Sequence, residues 1–416
     1  MKQQYDSYKP SGIDWIGDIP SHWNLRRMRY LCDIITGDKD TVNRVDDGLY
    51  PFYVRSPQIE RINSYSFDGE AVLMAGDGVG AGKVLHYATG KFDFHQRVYN
   101  FHNFREIKGK LLYQYLKSLF KYKIEEGGAK NTVDSVRQPW LKDFPVCIPP
   151  LAEQEAIAAW LDEKCGEIDA AIAKVDREIE LIDELKQSEI SRVVTRGLNP
   201  DTPLRPSGID WIGNIPEHWA IRKVAQIFHG IGSGTTPTSG SNKYYSEDGV
   251  NWLQTGDLND GNINDTSKKI TTTALIDFSS LKIYPKGSIV IAMYGATIGK
   301  LGKLNIETTT NQACCVLPKS NEIDNDFAFY VFWAGKRALI NSAYGGGQPN
   351  ISQDTIKSFK FALPPLSEQQ AIADYLDKKC AEIDGLKAKL SKKRETLTEL
   401  RQSIISEVVT GKRKVI

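Results

Sequence analysis

The sequence predicts an α+β protein: two mixed domains joined by a pseudo-two-fold antiparallel pair of long helices that act as a coiled-coil spacer. Three observations predict it. The octamer PSGIDWIG occurs twice, beginning at Pro10 and at Pro206. A segment of 22 residues containing Pro-Pro also occurs twice, at 148–169 and 363–384, with 15 identical positions. Between Trp23 and Pro149 lie 125 residues and between Trp219 and Pro364 lie 144, each stretch long enough to be a domain. Repetition at this spacing is read before any local signal, because it gives the order of the parts.

The front motif comes first in each repeat. DIPSHWNLRRM follows one octamer and NIPEHWAIRKV the other. Trp15, Ile16, Ile19 and Trp23 are apolar anchors in the first copy, and Trp211, Ile212 and Trp219 are their counterparts in the second. If the helices run antiparallel, each copy lies near the far end of the other repeat's helix. The octamer is then expected to clamp a domain onto the helix pair. His22 and His218 recur beside the tryptophans and read as packing or capping residues.

The domain-sized stretches follow. Short β-rich runs (YPFYV, EAVLMA and RVYNF in the first, VNWLQ, SIVIAMY and ACCVL in the second) precede one helical run each, GKLLYQYLKSLFKY and DFAFYVFWAGKRALINSAY. That order reads as α+β. The two stretches correspond distantly: Gly82-Lys83 matches Gly299-Lys300, His95-Gln96 matches Asn311-Gln312, and Gly127-Gly128 falls near Gly345 to Gly347. Nearly identical scaffolds carrying divergent inserts suit two different readers held in one frame.

Each repeat closes on a helix. Pro149-Pro150 and Pro364-Pro365 mark the starts, since proline cannot sit in a helix interior. In the first copy Leu161, Cys165, Ile168, Ile172, Val175, Ile179 and Ile182 recur at alternating gaps of four and three. This is a heptad seam. The second copy keeps Leu376, Cys380, Ile383 and Leu390, then a looser line through Leu397, Leu400, Ile404 and Val408. About 45 residues at about 1.5 Å each make a rod of roughly 70 Å. The expected boundaries are 1–147 (front segment and first domain), 148–200 (first helix), 201–362 (second front segment and domain) and 363–416 (second helix and basic tail).

Composition narrows the function classes. At 416 residues, 41% hydrophobic and 25% charged, the chain reads as soluble and globular. It has no apolar run near membrane-spanning length and no signal-peptide core at its start, so a cytoplasmic location is expected. Six cysteines without zinc spacing predict neither a disulfide scaffold nor a metal site. GDGVGAGKVL and GATIGKL fail the phosphate-loop pattern in spacing and in the final hydroxyl, and GIGSGTT lacks a strand–helix setting. No nucleophile elbow, zinc-protease motif or methyltransferase loop is present, so no catalytic residue is expected. Net charge is +1, but residues 151–197 carry −6 and the tail GKRKVI +3. The acidic first helix therefore masks a modestly basic remainder.

Three features together carry a family resemblance: the doubled PPLAEQEAIAAWLDEK/PPLSEQQAIADYLDKK segment, the series GDL, KGSIVIAMYGATIGK and NQACCVL, and GGGQPNIS before the final Pro-Pro. Over essentially its whole length the chain resembles the DNA-specificity subunit of Type I restriction–modification systems. The first domain departs most, with GDGVGAGK for GATIGK and EEGGAKNTVDSVRQ for YGGGQPNIS. The resemblance implies that each domain is a target-recognition domain and that the chain itself is non-catalytic and holds no cofactor. It implies double-stranded DNA as ligand and two modification subunits that methylate adenine from S-adenosylmethionine. Restriction-competent complexes would add two translocating endonuclease subunits that use ATP and magnesium. The octamers then stand as clamps or as docking points for a modification subunit. Two other readings stay open: the specificity subunit of a related Type II two-subunit restriction–modification system, and a coiled-coil adaptor with no DNA role.

Two readers on a stiff spacer should read two half-sites about one turn, roughly 34 Å, apart. Because the inserts differ, the target should be bipartite and asymmetric, with an unread gap set by the spacer. Gln and Asn suit adenine and Arg suits guanine, so Gln96, Arg97, Lys130 and Arg137 are candidates in the first domain. Asn311, Gln312, Gln348 and Asn350 are candidates in the second. Lys83 and Lys300, each after a glycine, suit phosphate. Lys108, Lys110, Lys117, Lys121 and Lys123 either track phosphate or form a solvated face. Trp15, Ile16, Trp23, Trp211, Ile212 and Trp219 are the candidate partner- or spacer-binding residues.

Overall fold

The computed structural model describes residues 3–126, 135–342 and 350–415. The chain divides into two compact units, Met1–Arg177 with Ser391–Ile416, and Glu178–Leu390. We call them unit 1 and unit 2. Among the described residues the long helices are α1 (Gly109–Glu126), α2 (Leu151–Arg196), α3 (Asn325–Asn341) and α4 (Leu366–Val409). The division falls within α2 and α4, so each unit contains a part of both.

Unit 1 holds a four-stranded sheet in the order Asp33–Thr36, Val98–His102, Ala71–Ala75, Leu85–Ala88, antiparallel throughout. A second sheet sets Lys91–Phe94 parallel to Tyr50–Tyr53. Unit 2 repeats both ideas. Cys314–Leu317, Ile289–Ala292 and Leu301–Leu304 pair antiparallel, and Thr309–Thr310 runs parallel to the end of Tyr245–Leu253. All the strand runs named from sequence are strands.

The length difference between the domains has one main location. Tyr53 and Leu253 hold the same place, each accepting a backbone hydrogen bond from the turn at His95 or Asn311. Ala75 and Ala292 also match, each accepting from a glycine amide. Between these points unit 1 advances 22 residues and unit 2 advances 39. The surplus forms strand Gly261–Ile263 and helix Thr272–Asp277.

In both units the two long helices pair antiparallel. In unit 1 Asp169 meets Arg401 at 2.8 Å and Asp176 meets Arg394 at 2.5 Å, so seven residues forward on α2 match seven back on α4. In unit 2 Lys186 meets Asp384 at 2.8 Å and Asp183 meets Lys387 at 2.7 Å. Asp169–Arg401 and Asp384–Lys186 occupy the same repeat positions with the charges kept. Beneath them Leu161, Cys165 and Val175 are buried on α2, and Leu376, Cys380, Ile383, Ile404 and Val408 on α4. Leu400 leaves the expected line. It is 46% exposed, and Ile405 points inward instead. Asp176–Arg394 is open to solvent on both sides, and such a pair contributes little. Arg394→Ala is therefore expected to cost less than about 1 kcal/mol, with the loss shrinking further in about 1 M salt; thermal melts at two salt concentrations check both.

The acidity of α2 has a local partner as well. In unit 1 Lys108 pairs with Glu155 at 3.0 Å, and Lys110 pairs with Asp162. Lys117 bonds the Tyr113 hydroxyl at 3.2 Å, and Lys123 bonds Glu126 at 3.0 Å. Much of the lysine cluster at the entry to α1 and along it thus serves contacts within unit 1, two of them on the acidic helix.

The repeated Glu-Gln after Pro-Pro explains itself in this setting. In unit 1 Glu153 accepts hydrogen bonds from the Trp23 indole at 2.9 Å, the His22 ring at 2.6 Å and the Tyr5 hydroxyl at 3.2 Å. In unit 2 Glu368 accepts from the Trp219 indole at 3.1 Å and the His218 ring at 2.9 Å. The neighbouring Gln154 accepts from the Lys108 amide at 2.8 Å and donates to the Glu106 carbonyl at 2.7 Å, fixing the entry to α1. Gln369 accepts from the Asp324 amide at 2.8 Å, just before α3. One dipeptide thus ties front motif, long helix and domain helix together, once per unit.

Candidate nucleic-acid interface

The front motifs are built into the core of their units. Ile16, Ile19 and Trp23 cluster with Ile157 and Leu161 of α2 and with Ile404, Ile405, Val408 and Val409 of α4. Ile212, Ile215 and Trp219 cluster with Ile190, Val193 and Val194 of α2 and with Ile372 and Leu376 of α4. Trp15 stacks on Phe144 at 5.5 Å and on Tyr122 at 5.6 Å, and Trp211 stacks on Phe359 at 5.2 Å. Of the front-motif residues named here Trp15 and Trp211 are the half-exposed ones.

The polar candidates gather on one turn and its neighbours in each unit. In unit 1 the turn is His95–Arg97. His95 Nδ1 accepts from the Arg97 amide at 2.9 Å, which closes the turn. The Gln96 amide donates to the Lys39 carbonyl at 2.8 Å, zipping the turn to the loop after Gly37. Gly37 has no alternative there, because an added Cβ would lie 1.9 Å from the Phe94 carbonyl oxygen. On the other side the Gly76 amide donates to Arg97 O, and the Val136 amide donates to Gly76 O, both at 2.8 Å. Gln96, Arg97 and Arg137 are thus brought to one face, all three exposed.

Side chains complete that face. Asp77 takes Arg55 at 3.0 Å and Arg97 at 3.6 Å. Gln96 Nε2 donates to Asp40 Oδ2 at 2.7 Å. His95 is buried, and burial, followed by the nearby Arg55 charge, pulls its pKa below the ordinary imidazole value. Lys83 stands exposed at the far end of the loop that starts at Gly76. The glycine before it is accounted for by packing: Gly82 has φ +66°, and an added Cβ would meet Ile124 of α1 at 2.6 Å. Lys130 lies outside the described residues, as do Gly127 and Gly128.

Unit 2 follows the same path with other side chains. Asn311 Oδ1 accepts from the Ala313 amide at 3.1 Å, doing what the His95 ring does in unit 1. That contact gives Asn311 a turn-forming task in addition to any outward one. The Met293 amide donates to Ala313 O, and the Ile351 amide donates to Met293 O, both at 2.8 Å. Gly234 approaches the strand as Gly37 does: an added Cβ would lie 1.8 Å from Thr310 O. Gln312 is held by the Thr236 hydroxyl at 2.7 Å. Asn350 is exposed and bridges to Tyr294. Lys300 is half-buried after Gly299, whose added Cβ would meet Ile340 of α3 at 2.8 Å. Beside Thr236 opens a polar cleft of about 720 Å³ with Asn242, Gln254, Lys268 and Lys269 in its wall. Gln348 and Gly345 to Gly347 lie outside the described residues.

Sequence reasoning passed over Asp40, Arg55, Asp77 and Thr236, which position the candidates. It also set aside GIGSGTT, whose Gly234 turns out to be required by close backbone approach. Among the described residues no group of three or more His, Cys, Asp or Glu is placed to hold a metal ion, and no helix is long and apolar enough to cross a membrane.

Comparison with known proteins bears on this arrangement. The family model of the Type I restriction modification DNA specificity domain matches residues 20–180 and 216–393, once per repeat. The EcoDI specificity subunit of Escherichia coli is 24% identical, over 95% of this chain and 89% of its own. The MjaVIII specificity subunit of Methanocaldococcus jannaschii is 26% identical, over 95% of this chain and 94% of its own. A solved chain, from work on complex assembly and conformational transition of the type I R-M system, has the same fold. It aligns with a TM-score of 0.70 at 15% identity, covering 94% of this chain and 98% of that one.

Proposed function

The chain belongs to the Type I restriction–modification DNA specificity family, and from that premise we propose that each of its units reads one half of a split, asymmetric DNA target. One observation carries the reading. Both units build the same turn-and-loop path, yet the side chains along it differ. Arg97 in unit 1 answers to Ala313 in unit 2, Arg137 to Ser352, and Ser135 to Asn350. A common frame with different outward groups is what two readers of different sequence need.

In this reading the chain is non-catalytic. Two modification subunits assemble with it and transfer methyl groups from S-adenosylmethionine to adenine, and two ATP- and magnesium-dependent restriction subunits join in cleavage-competent complexes. The work takes place in the cytoplasm, where the host DNA lies. Because the basic surplus outside the helices is small, partners supply part of the phosphate contact that dominates salt-dependent affinity.

The test is a map of N6-methyladenine in host DNA by long-read sequencing, with the gene present and deleted. One split, asymmetric motif should lose its methylation on deletion, and both halves would be read off together. A methylation pattern that deletion leaves unchanged, in cells shown to express the modification partner, would count against the proposal.

A further inference from the structure

We propose that Asp40 is a positioning residue that fixes the direction of the Gln96 amide, so that the base facing Gln96 in the first half-site is one that presents an amino group. The inference rests on the reading of unit 1 given above and names a base class within it.

An ionised carboxylate only accepts hydrogen bonds, whereas an amide has a donor end and an acceptor end. The contact between Gln96 and Asp40 Oδ2 at 2.7 Å therefore has to be made by Nε2. Nε2 spends one of its two hydrogens on Asp40, and Oε1, which takes no partner among the described residues, is the end that this contact turns away from the carboxylate and toward a ligand. Asp40 is itself held. Its Oδ1 accepts from the Thr41 amide at 2.6 Å, and its own amide donates to Asn43 Oδ1 at 2.8 Å, capping the short turn Thr41–Asn43. The Thr41 amide, and after it the Gln96 amide, keep the carboxyl below the usual carboxylate range, so it is ionised at neutral pH. The backbone beneath is zipped by the Gln96 amide on Lys39 O at 2.8 Å.

An outward acceptor meets base donors well and base acceptors badly. In the major groove the donors are adenine N6 and cytosine N4, while guanine O6 and thymine O4 would set oxygen against oxygen. Gln96 thus selects adenine or cytosine at the base it faces. Unit 2 makes the contrast. Gln312 is held by the Thr236 hydroxyl, which can donate or accept, so that contact leaves the direction of the amide open.

Asp40→Asn keeps size and shape but lets either end of the amide face it. With the full chain and its modification subunits in cells, methylation motifs would be mapped for wild type, Gln96→Ala and Asp40→Asn. Both variants are expected to broaden the same base of the first half-site, discrimination there falling about tenfold, near the lower end for a base contact. The second half-site stays unchanged and reports that the protein is folded and assembled. A broadened motif in Gln96→Ala with a wild-type motif in Asp40→Asn would overturn the role of Asp40 and leave the reading of unit 1 standing. A wild-type motif in Gln96→Ala, or guanine or thymine at the affected base, would overturn the inference. If the wild-type chain directs no split motif, the functional reading itself fails. Should Asp40→Asn lose methylation altogether, the wild-type assembly decides: deleting the amino group of that base from a synthetic duplex should weaken binding about tenfold, and unchanged binding rejects the proposal.

Discussion

Trp23→Ala is expected to destabilise unit 1 by about 3–5 kcal/mol. The indole is fully buried among Ile16, Ile19, Leu161, Ile405 and Val408, so truncation removes a large apolar surface and leaves a cavity that α2 and α4 must close. The polar side of the ring adds to this. Its Nε1–H is one of three donors on Glu153, and a half-buried carboxylate stripped of a donor is costly. Glu153→Ala isolates that part and is expected to cost about 1–3 kcal/mol. Trp219→Ala should do in unit 2 what Trp23→Ala does in unit 1, through Glu368. Denaturant unfolding of the full chain, with limited proteolysis to show which unit opens, measures both. A Trp23→Ala protein within about 1 kcal/mol of wild type would refute the account, since buried Trp truncations cost more than that.

The second large effect is local. Gly37→Ala is expected to erase the first half-site and Gly234→Ala the second, each leaving the other intact. At both positions the new methyl would lie within 2 Å of a backbone carbonyl oxygen, 1.9 Å at Phe94 and 1.8 Å at Thr310. Backbone cannot swing aside as a flexible side chain does, so the loop must leave the strand. That cost is about 3 kcal/mol, the upper range for overpacking, and it parts Gln96 from Asp40 or Gln312 from Thr236. Motif mapping reads the outcome one half at a time. An unaltered motif together with wild-type stability in Gly37→Ala would show that the close approach is unimportant.

Most of the architecture was legible because it was written twice. Pro-Pro starts, heptad seams and the strand runs are local patterns, and they form the elements they predict. The Leu400 departure came where the seam was already loose: apolar residues at 397, 400, 404, 405 and 408 offer more than one line, and packing chose Ile405. The candidate interface was half legible. Gln96 and Gln312 stood out because the repeat aligned them, and both lie on the turn. Asp40, Arg55 and Asp77 did not stand out, because each acts across a gap in sequence that only the fold closes, 56 residues for Asp40 and Gln96. The matching turn-forming tasks of His95 and Asn311 were hidden for another reason: one uses a ring nitrogen and the other an amide oxygen, so the letters differ while the hydrogen bond is the same.

The two units differ in when they can be finished. Unit 2 is one unbroken run of chain, Glu178–Leu390. Unit 1 is not: Ile16 and Trp23, near the beginning, share a core with Ile404, Ile405, Val408 and Val409, almost four hundred residues later. During synthesis unit 2 has every residue it needs while unit 1 still waits with an open apolar face. Closing that face brings together the most distant contacts in the chain, the kind that form slowly and leave partly folded species prone to aggregate. The order of assembly, unlike the order of the repeats, is therefore asymmetric.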